Sequence, residues 1–349
     1  MGWNARWDES ARAFAAEGWV VGRVVRHDGA QYQVVLDHGA VAAVLPGRWR
    51  QDAAIDLPAV GDWVALSLHA DLARIEALLP RASWIAREEA GTRTAAQVVA
   101  ANVDVGLVVT DAGPDFNPRR IERYVAALES GHVTPLIVVN KVDETPDRGP
   151  VWLALERAAP GVVTVMLSAR TGEGVDELLR YLPAGTTAAC VGSSGVGKST
   201  LINRLLGHDA QATGAIREHD GRGRHTTTHR ELLALSNGAW IIDTPGLREL
   251  VPWFDGGEQA PGFADIAALA SSCRFRNCGH TDEPGCAVLA AVASGELDEA
   301  RLANFRRLQR EAAFQASRRD DAAARERKRV ERQFGKAIRD IEKHNPKRR

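Results

Sequence analysis

The amino-acid sequence predicts a multidomain α/β chain: a small closed β-barrel, then a mainly parallel sheet covered by helices, then a helical unit holding a Cys/His cluster. Three observations predict it. Short, turn-bounded strands crowd residues 17–82, strands and amphipathic helices alternate over 102–250, and three of the four cysteines lie between positions 273 and 286. Strands alternating with helices are the pattern of a parallel sheet with helices on its faces.

Composition bounds the classes. At 349 residues the chain is long enough for two or three domains. Its 45% hydrophobic and 26% charged residues are those of a globular protein. Residues 1–19 carry Arg6, Asp8, Glu9, Arg12 and Glu17, so they lack the apolar core of a secretion signal, and no run approaches membrane-spanning length. Cytoplasmic residence, with no membrane partner, is the expectation. Clustered cysteines then suit a metal site in a reducing compartment better than a disulfide framework. The formal net charge of −1 hides an asymmetry: residues 301–349 hold 17 Lys/Arg against 7 Asp/Glu, an excess of +10 on an otherwise acidic chain. Such a run is either a solvated helix face or a surface for a polyanion.

Residues 1–16 form an N-terminal arm whose pattern assigns it no role. Over 17–82, strands are expected at 19–25, 31–36, 41–45, 62–68 and 73–79, divided by turns such as His27-Asp28-Gly29 and Asp37-His38-Gly39. Five closely spaced strands suggest an OB-fold barrel, which serves either as an RNA platform or as a purely structural module. Residues 83–101, with Arg87, Arg93 and several polar side chains, read as a connector. From there the pattern alternates: strand 103–109, helix 118–129, strand 135–139, helix 151–158, strand 162–167, helix 175–182. Continuous apolar strands between amphipathic helices imply a sheet buried on both faces.

Between an apolar strand at 187–191 and a helix at 200–206 the chain reads G-x-x-x-x-G-K-S: Gly192, Ser193, Ser194, Gly195, Val196, Gly197, Lys198, Ser199, then Thr200. That context makes a phosphate loop. Glycines let the backbone wrap a phosphate, successive N–H groups point inward, and the helix N-terminus adds its positive dipole end. Lys198 would reach the β/γ-phosphates and Ser199 a Mg²⁺ ion. The strand 135–139 runs into Asn140-Lys141-Val142-Asp143, the N-K-x-D pattern with which GTPases read guanine. A carboxylate at Asp143 accepts from guanine N1–H and the exocyclic amine, a donor pair adenine lacks. Asn140 would support the loop, and the aliphatic stem of Lys141 would lie over the base. The next strand ends in Ser168 and Ala169, matching the S-A-x element whose backbone supports guanine.

After the phosphate loop, Arg222 to Thr228 form a polar segment suited to a switch, with Thr227 the best placed of three threonines to complete Mg²⁺ coordination. The strand at 240–242 leads into Asp243-Thr244-Pro245-Gly246, a D-x-x-G element in which Asp243 would hold Mg²⁺ through water and the Gly246 N–H would sense the γ-phosphate. In many GTPases a glutamine directly after D-x-x-G orients the attacking water, but here that residue is Leu247. His225 is the candidate to hold the water instead; the alternative is an exposed switch residue. Conventional GTPases present the phosphate loop first, whereas this chain presents N-K-x-D and S-A-x first. A circular permutation explains the order, since the termini of a compact domain commonly lie close together.

Further on, Cys273, Cys278, His280 and Cys286 supply three thiolates and an imidazole within fourteen residues. This matches a tetrahedral Zn²⁺ set with no open position, hence a structural zinc; the alternative is that these are buried or redox thiols. Beyond it, residues 301–342 read as helix and carry the basic excess.

With these elements in place, the chain resembles the ribosome small-subunit-dependent GTPase A family, circularly permuted GTPases with an N-terminal OB domain and a C-terminal zinc domain. The resemblance runs almost the full length, through Asn140–Asp143, Gly192–Thr200, Gly223–Thr228, Asp243–Gly246 and the Cys273/Cys278/His280/Cys286 set. It implies an OB-fold barrel at 17–82, a circularly permuted P-loop GTPase domain with a mainly parallel sheet at 102–250, and a helical zinc-binding domain at 251–349 ending in a basic helix. It also implies GTP or GDP, Mg²⁺ and one structural Zn²⁺ as ligands. The implied activity is GTP hydrolysis in late maturation of the small ribosomal subunit, stimulated by that particle. The subunit and its rRNA are then the expected partners of a monomer, with other assembly factors an open further class. Two other functions stay open on the residues alone: a nucleotide-regulated RNA-binding protein with negligible turnover, and a metabolic GTP-dependent enzyme.

Overall fold

The computed structural model describes residues 2–29, 31–47, 49, 57–69, 72–88, 96–207, 230–243, 250 and 261–314. Five strands, β1 (Val20–His27), β2 (Tyr32–Leu36), β3 (Gly39–Val44), β4 (Trp63–Ser67) and β5 (Ala73–Leu78), run in the order β1-β2-β3-β5-β4, and β4 returns to pair with β1. The ring is therefore closed, with β3 and β5 parallel and the other pairs antiparallel. Its interior is filled by Val24, Tyr32, Val34, Val64, Leu66 and Ile75. Closure removes the free edges that an isolated small sheet would expose.

The arm ahead of the barrel has a definite seat. Helix α1 (Asp8–Ala16) follows a 3₁₀ turn, and Trp7 buries against Trp63 and Leu79 on the barrel's outer wall while its indole N–H donates to the Pro80 carbonyl at 3.0 Å. The stretch expected as a connector folds as a hairpin, β6 (Trp84–Glu88) paired antiparallel with β7 (Ala96–Ala101). Ile85 and the run Val99, Ala100 and Ala101 are buried, a signal that a reading centred on the segment's arginines overlooks.

The central sheet contains β8 (Val105–Asp111), β9 (Thr134–Asn140), β10 (Thr164–Met166), β11 (Thr187–Val191) and β13 (Trp240–Asp243), ordered β10-β9-β8-β11-β13 and all parallel. An antiparallel β12 (Arg230–Ala234) then pairs with β1, which joins barrel and sheet into one eleven-stranded structure. Neighbouring residues of each parallel strand enter different cores. Leu107, Val109, Leu136, Val138, Ala188 and Cys190 face one side, and Val108, Ile137, Val139, Ala189 and Val191 the other. Helices α2 (Pro118–Ser130), α3 (Gly149–Ala158), α4 (Val175–Arg180) and α5 (Lys198–Leu206) cover the two faces. α2 starts where its sequence says it should: the Asn117 side chain accepts from the Arg119 and Arg120 amides, and Pro118 occupies the first turn.

A buried arginine locks the barrel to the sheet. Arg23 of β1 donates to the carbonyls of Gly61 and Asn102 at 3.1 Å each and to Thr187 Oγ1 at 2.9 Å, and burial lowers its pKa to about 10. The C-terminal unit comprises α6 (Ala264–Ala270), α7 (Ala287–Ser294) and α8 (residues 299–314), packed on Ala126 of α2. Its polar anchor is Arg301, which binds both oxygens of Asp265 at 2.7 Å, donates to the Gly262 carbonyl at 2.9 Å and lies 3.6 Å from the fully buried Glu122 of α2. Glu122 also accepts from Arg119 and Asn304, so this buried carboxylate and Arg301 are both paired. No helix among the described residues is long and apolar enough to cross a membrane. The fold is thus an OB-type barrel, a permuted P-loop sheet and a helical unit with a Cys/His cluster.

Candidate nucleotide site and metal centre

Because all five central strands are parallel, their C-terminal ends share one edge, and this edge collects the motifs. Asp111 ends β8, Asn140 ends β9, Ser168 and Ala169 follow β10, Gly192 follows β11, and Asp243 ends β13. Ligands of open α/β sheets bind at this edge.

Asn140 ties three of these segments together. Its side chain, with the residue only 2% exposed, donates from Nδ2 to the Val196 carbonyl of the phosphate loop and accepts from the Ala169 amide at Oδ1, both at 2.9 Å. Lys141 then takes the left-handed conformation at φ 61°, and its Nζ pairs with Asp111 Oδ2 at 2.7 Å. This fixes the head of the lysine against the end of β8.

Asp143 lies in the short turn after Lys141. Its Oδ2 accepts from Arg170 Nε at 3.0 Å and from Arg170 Nη2, whereas Oδ1 is buried with no hydrogen-bond partner. The Ser168 side chain, and after it Arg170, holds this carboxyl below the ordinary carboxylate range. An ionised carboxylate with one unused buried oxygen is an acceptor awaiting a donor.

The phosphate loop has the backbone its glycines require. Gly192 sits at φ 145° and Gly197 at φ 93°; a Cβ would fall 2.2 Å from the Val109 carbonyl at the first and 2.3 Å from Asn140 Nδ2 at the second. Both clashes follow from tight seating of the loop on the strand ends. Lys198 opens α5 and curls back to donate to the carbonyls of Gly192, at 2.9 Å, and Ser193. Ser194, Gly195 and Ser199 are exposed and Thr200 half-buried at the helix start. Beneath them, burial and then Asp243 push the Cys190 thiol up to about 12, so Cys190 is a core residue rather than a nucleophile.

Three residues outside the sequence-predicted set enter the site. Arg170 holds Asp143, Asp111 holds Lys141, and Arg120 of α2 donates to Ser193 Oγ. Asp111 was detectable as a carboxylate ending a parallel strand beside Asn140; Arg120 had no local signal. Thr227, His225, Gly246 and the rest of the 222–228 segment expected as a switch lie outside the described residues, as do residues 315–349, expected to continue the basic helix.

The Cys/His cluster assembles fully. The ligand atoms of Cys273, Cys278, His280 and Cys286 lie within 4.8 Å of one another. Cys273 Sγ is 3.8 Å from Cys286 Sγ, and His280 Nδ1 is 3.7 Å and 3.4 Å from those two sulfurs. A tetrahedron with zinc–sulfur bonds of about 2.3 Å and zinc–nitrogen bonds of about 2.0 Å has S···S edges of about 3.8 Å and S···N edges of about 3.5 Å. The donor set therefore fits zinc. Local structure supports it: Cys286 caps α7, accepting from the Leu289 amide at 3.4 Å. Glu283 ties the knuckle between the ligands by accepting from the amides of Gly279, Thr281 and Asp282 at 2.7, 2.8 and 3.2 Å. Those amides and its own hold the Glu283 carboxyl down to about 2. Burial, reinforced by Arg306 and opposed by Glu283, lowers the His280 pKa, so the imidazole is neutral and its lone pair available.

A model of the RsgA GTPase family matches residues 78–253. Among curated relatives, "Small ribosomal subunit biogenesis GTPase RsgA 2" of Lactiplantibacillus plantarum is 44% identical over 321 residues, covering 91% of this chain and 90% of its own. "Small ribosomal subunit biogenesis GTPase RsgA" of Streptomyces coelicolor is 45% identical over 317 residues, covering 89% and 85%. Of solved structures, YjeQ from Thermotoga maritima superposes with a TM-score of 0.63 at 27% identity over 84% of this chain and 98% of that one. YloQ, a circularly permuted GTPase, gives 0.61 at 22% identity over 85% and 96%, a likeness of fold. The motif order, their convergence on one sheet edge and similarity along nearly the whole length together place the chain in the RsgA GTPase family.

Proposed function

We propose that this protein is a GTP hydrolase of small-ribosomal-subunit biogenesis, as its relatives' names describe them, working on GTP bound at the C-terminal edge of the central sheet. The observation that carries the reading is the Asn140 tie, which holds the phosphate loop and the Ser168-Ala169 loop in one register beside Asp143. Guanine would present its N1–H and amine to the Asp143 carboxylate, whose Oδ1 has no other partner. The Gly192–Ser199 loop wraps the phosphates with backbone N–H groups, Lys198 exchanges its loop carbonyls for phosphate oxygens, and the stem of Lys141 covers the base. Ser199, Thr227 and, through water, Asp243 would hold Mg²⁺, which supplies charge neutralisation at the phosphates. Gly246 senses the terminal phosphate, and His225 positions the attacking water in place of the glutamine that Leu247 does not supply.

The cluster of Cys273, Cys278, His280 and Cys286 holds one zinc and keeps the C-terminal unit folded. The small subunit and its rRNA are the partners, with the barrel and the basic C-terminal helix as contact surfaces of a cytoplasmic monomer; other assembly factors bind alongside. The test is GTP turnover of the full chain with and without purified small subunits. Turnover is expected to be slow alone and strongly raised by small subunits but not by large ones. His225→Ala keeps nucleotide binding and loses most of the stimulation, whereas Lys198→Ala loses binding itself. Absence of stimulation would instead make this a nucleotide-regulated RNA-binding protein.

A further inference from the structure

Asp143 has two acceptor oxygens, and guanine brings two donors to them, its N1–H and its exocyclic amine. Only one of the oxygens is unclaimed. Oδ1 has no hydrogen-bond partner among the described residues, whereas Oδ2 accepts from Arg170 twice, from Nε at 3.0 Å and from Nη2. The Ser168 side chain, and after it Arg170, keep the carboxyl ionised, so it has no proton of its own to offer. A base that uses both oxygens must take Oδ2 from Arg170.

Arg170 offers the same kind of donor pair as the base. A guanidinium carries N–H groups on neighbouring nitrogens of one plane, and N1, C2 and the amine of guanine repeat that fragment within the ring. Hypoxanthine keeps N1–H but lacks the amine, so a single oxygen serves it. The surroundings let the Arg170 side chain leave while its loop stays. Arg204 of α5 donates from Nε to the Ala169 carbonyl at 2.9 Å and from Nη2 to the Arg170 carbonyl, and the Thr171 amide donates to Ser168 Oγ at 3.1 Å. The backbone is therefore held on both sides of Arg170, but the side chain is 70% exposed. Its Nη2 also lies 3.9 Å from Glu144 Oε1, a second carboxylate onto which a displaced guanidinium can shift.

We infer that Arg170 is a specificity-determining residue of the base pocket: it competes with the exocyclic amine of guanine for Asp143 Oδ2 and so sets how strongly guanine is preferred over hypoxanthine. The inference rests on the guanine reading above. Without nucleotide, the same contact spares Asp143 from standing as a wholly unpaired carboxylate. An ion pair with one exposed partner is weak, so guanine displaces it. Displacement still carries a cost that hypoxanthine escapes, because hypoxanthine takes Oδ1 and leaves Arg170 on Oδ2.

The test is calorimetric binding of GDP and of IDP, the hypoxanthine counterpart, to the full chain as wild type, Arg170→Ala and Arg170→Lys. Arg170→Ala is expected to bind GDP about 2- to 5-fold tighter, the range an exposed ion pair reaches, with IDP unchanged, so the GDP-to-IDP preference rises by that factor. Arg170→Lys, whose ammonium lacks the paired planar donors, should fall between. Raising KCl from about 0.05 M to about 1 M should lift the wild-type preference towards that of Arg170→Ala, since salt screens the competing pair while phosphate contacts cancel in the ratio. An arginine that merely supports its loop would weaken both nucleotides together. A preference unchanged or lowered in Arg170→Ala, or raised only because IDP binds worse, would overturn the inference and leave the guanine reading in place. Wild-type protein that binds GDP no tighter than ADP would overturn both.

Discussion

Replacing Asn140 by alanine should damage both stability and nucleotide binding, and the structure sets the size of the effect. The side chain makes two hydrogen bonds of 2.9 Å, one to the Val196 carbonyl and one from the Ala169 amide, and all three residues are buried. Alanine leaves one carbonyl and one amide unpaired, at about 1–3 kcal/mol each. Water entering along the phosphate loop offsets part of this, so a loss of about 2–4 kcal/mol is expected. Urea unfolding with an unchanged m-value measures it directly. If the same tie must be re-formed for binding, GDP affinity falls by up to about 30- to 900-fold. Asn140→Asp separates the tie from simple volume: it keeps the acceptor for Ala169 but sets an oxygen against the Val196 oxygen. Protonation restores a donor there, so the carboxyl's folded pKa is raised above its unfolded value. The variant's stability deficit should shrink as pH falls through that folded pKa and return as pH rises. Unfolding of Asn140→Ala within about 0.5 kcal/mol of wild type, or a deficit in Asn140→Asp that ignores pH, would refute the reasoning.

Two further predictions concern single features. Gly197→Ala places a Cβ 2.3 Å from Asn140 Nδ2 at φ 93°, so it should abolish measurable GDP binding in calorimetry and destabilise by at least about 1–2 kcal/mol; wild-type affinity would mean the loop is not held as described. Glu283, held down to about 2 from the ordinary 4.5, contributes stability that is complete above about pH 4.5 and lost as pH falls towards 2. The melting-temperature gap between wild type and Glu283→Gln should therefore narrow from pH 6 to pH 3, and a constant gap would remove the carboxylate's charge from the account.

Much of this architecture is legible in the linear pattern. Alternation marks the barrel strands, because a strand in a closed small barrel shows one face to the interior. Runs such as Leu136 to Val139 mark central strands, because both sheet faces are covered. The hairpin at β6 and β7 escaped this reading: small alanines and interspersed Arg87 and Gln97 weaken its strand pattern, and its burial depends on what packs on it. Trp84, for instance, donates its amide to the Gly131 carbonyl at the end of α2. The seat of the N-terminal arm was equally hidden, since Trp7 has no local pattern and finds its partner Trp63 more than fifty residues away.

The linear pattern by itself names the chemical groups proposed for the nucleotide edge and the Cys/His cluster, and it shows that their order is permuted. A phosphate loop needs glycines at fixed spacing, a base-reading turn needs its carboxylate two residues after the lysine, and a zinc set needs four ligands in a short stretch. These demands are local, so they are written locally. Tertiary structure alone decided the groups that hold them: Arg170 on Asp143, Asp111 under Lys141, Arg120 on Ser193 and Glu283 on the amides between the Cys/His ligands. The first three of these partners come from another strand, loop or helix. An arginine's charge and reach are the same wherever it stands in a sequence, and only the folded sheet and the helices packed on it bring one arginine, rather than another, to an acceptor in need of it.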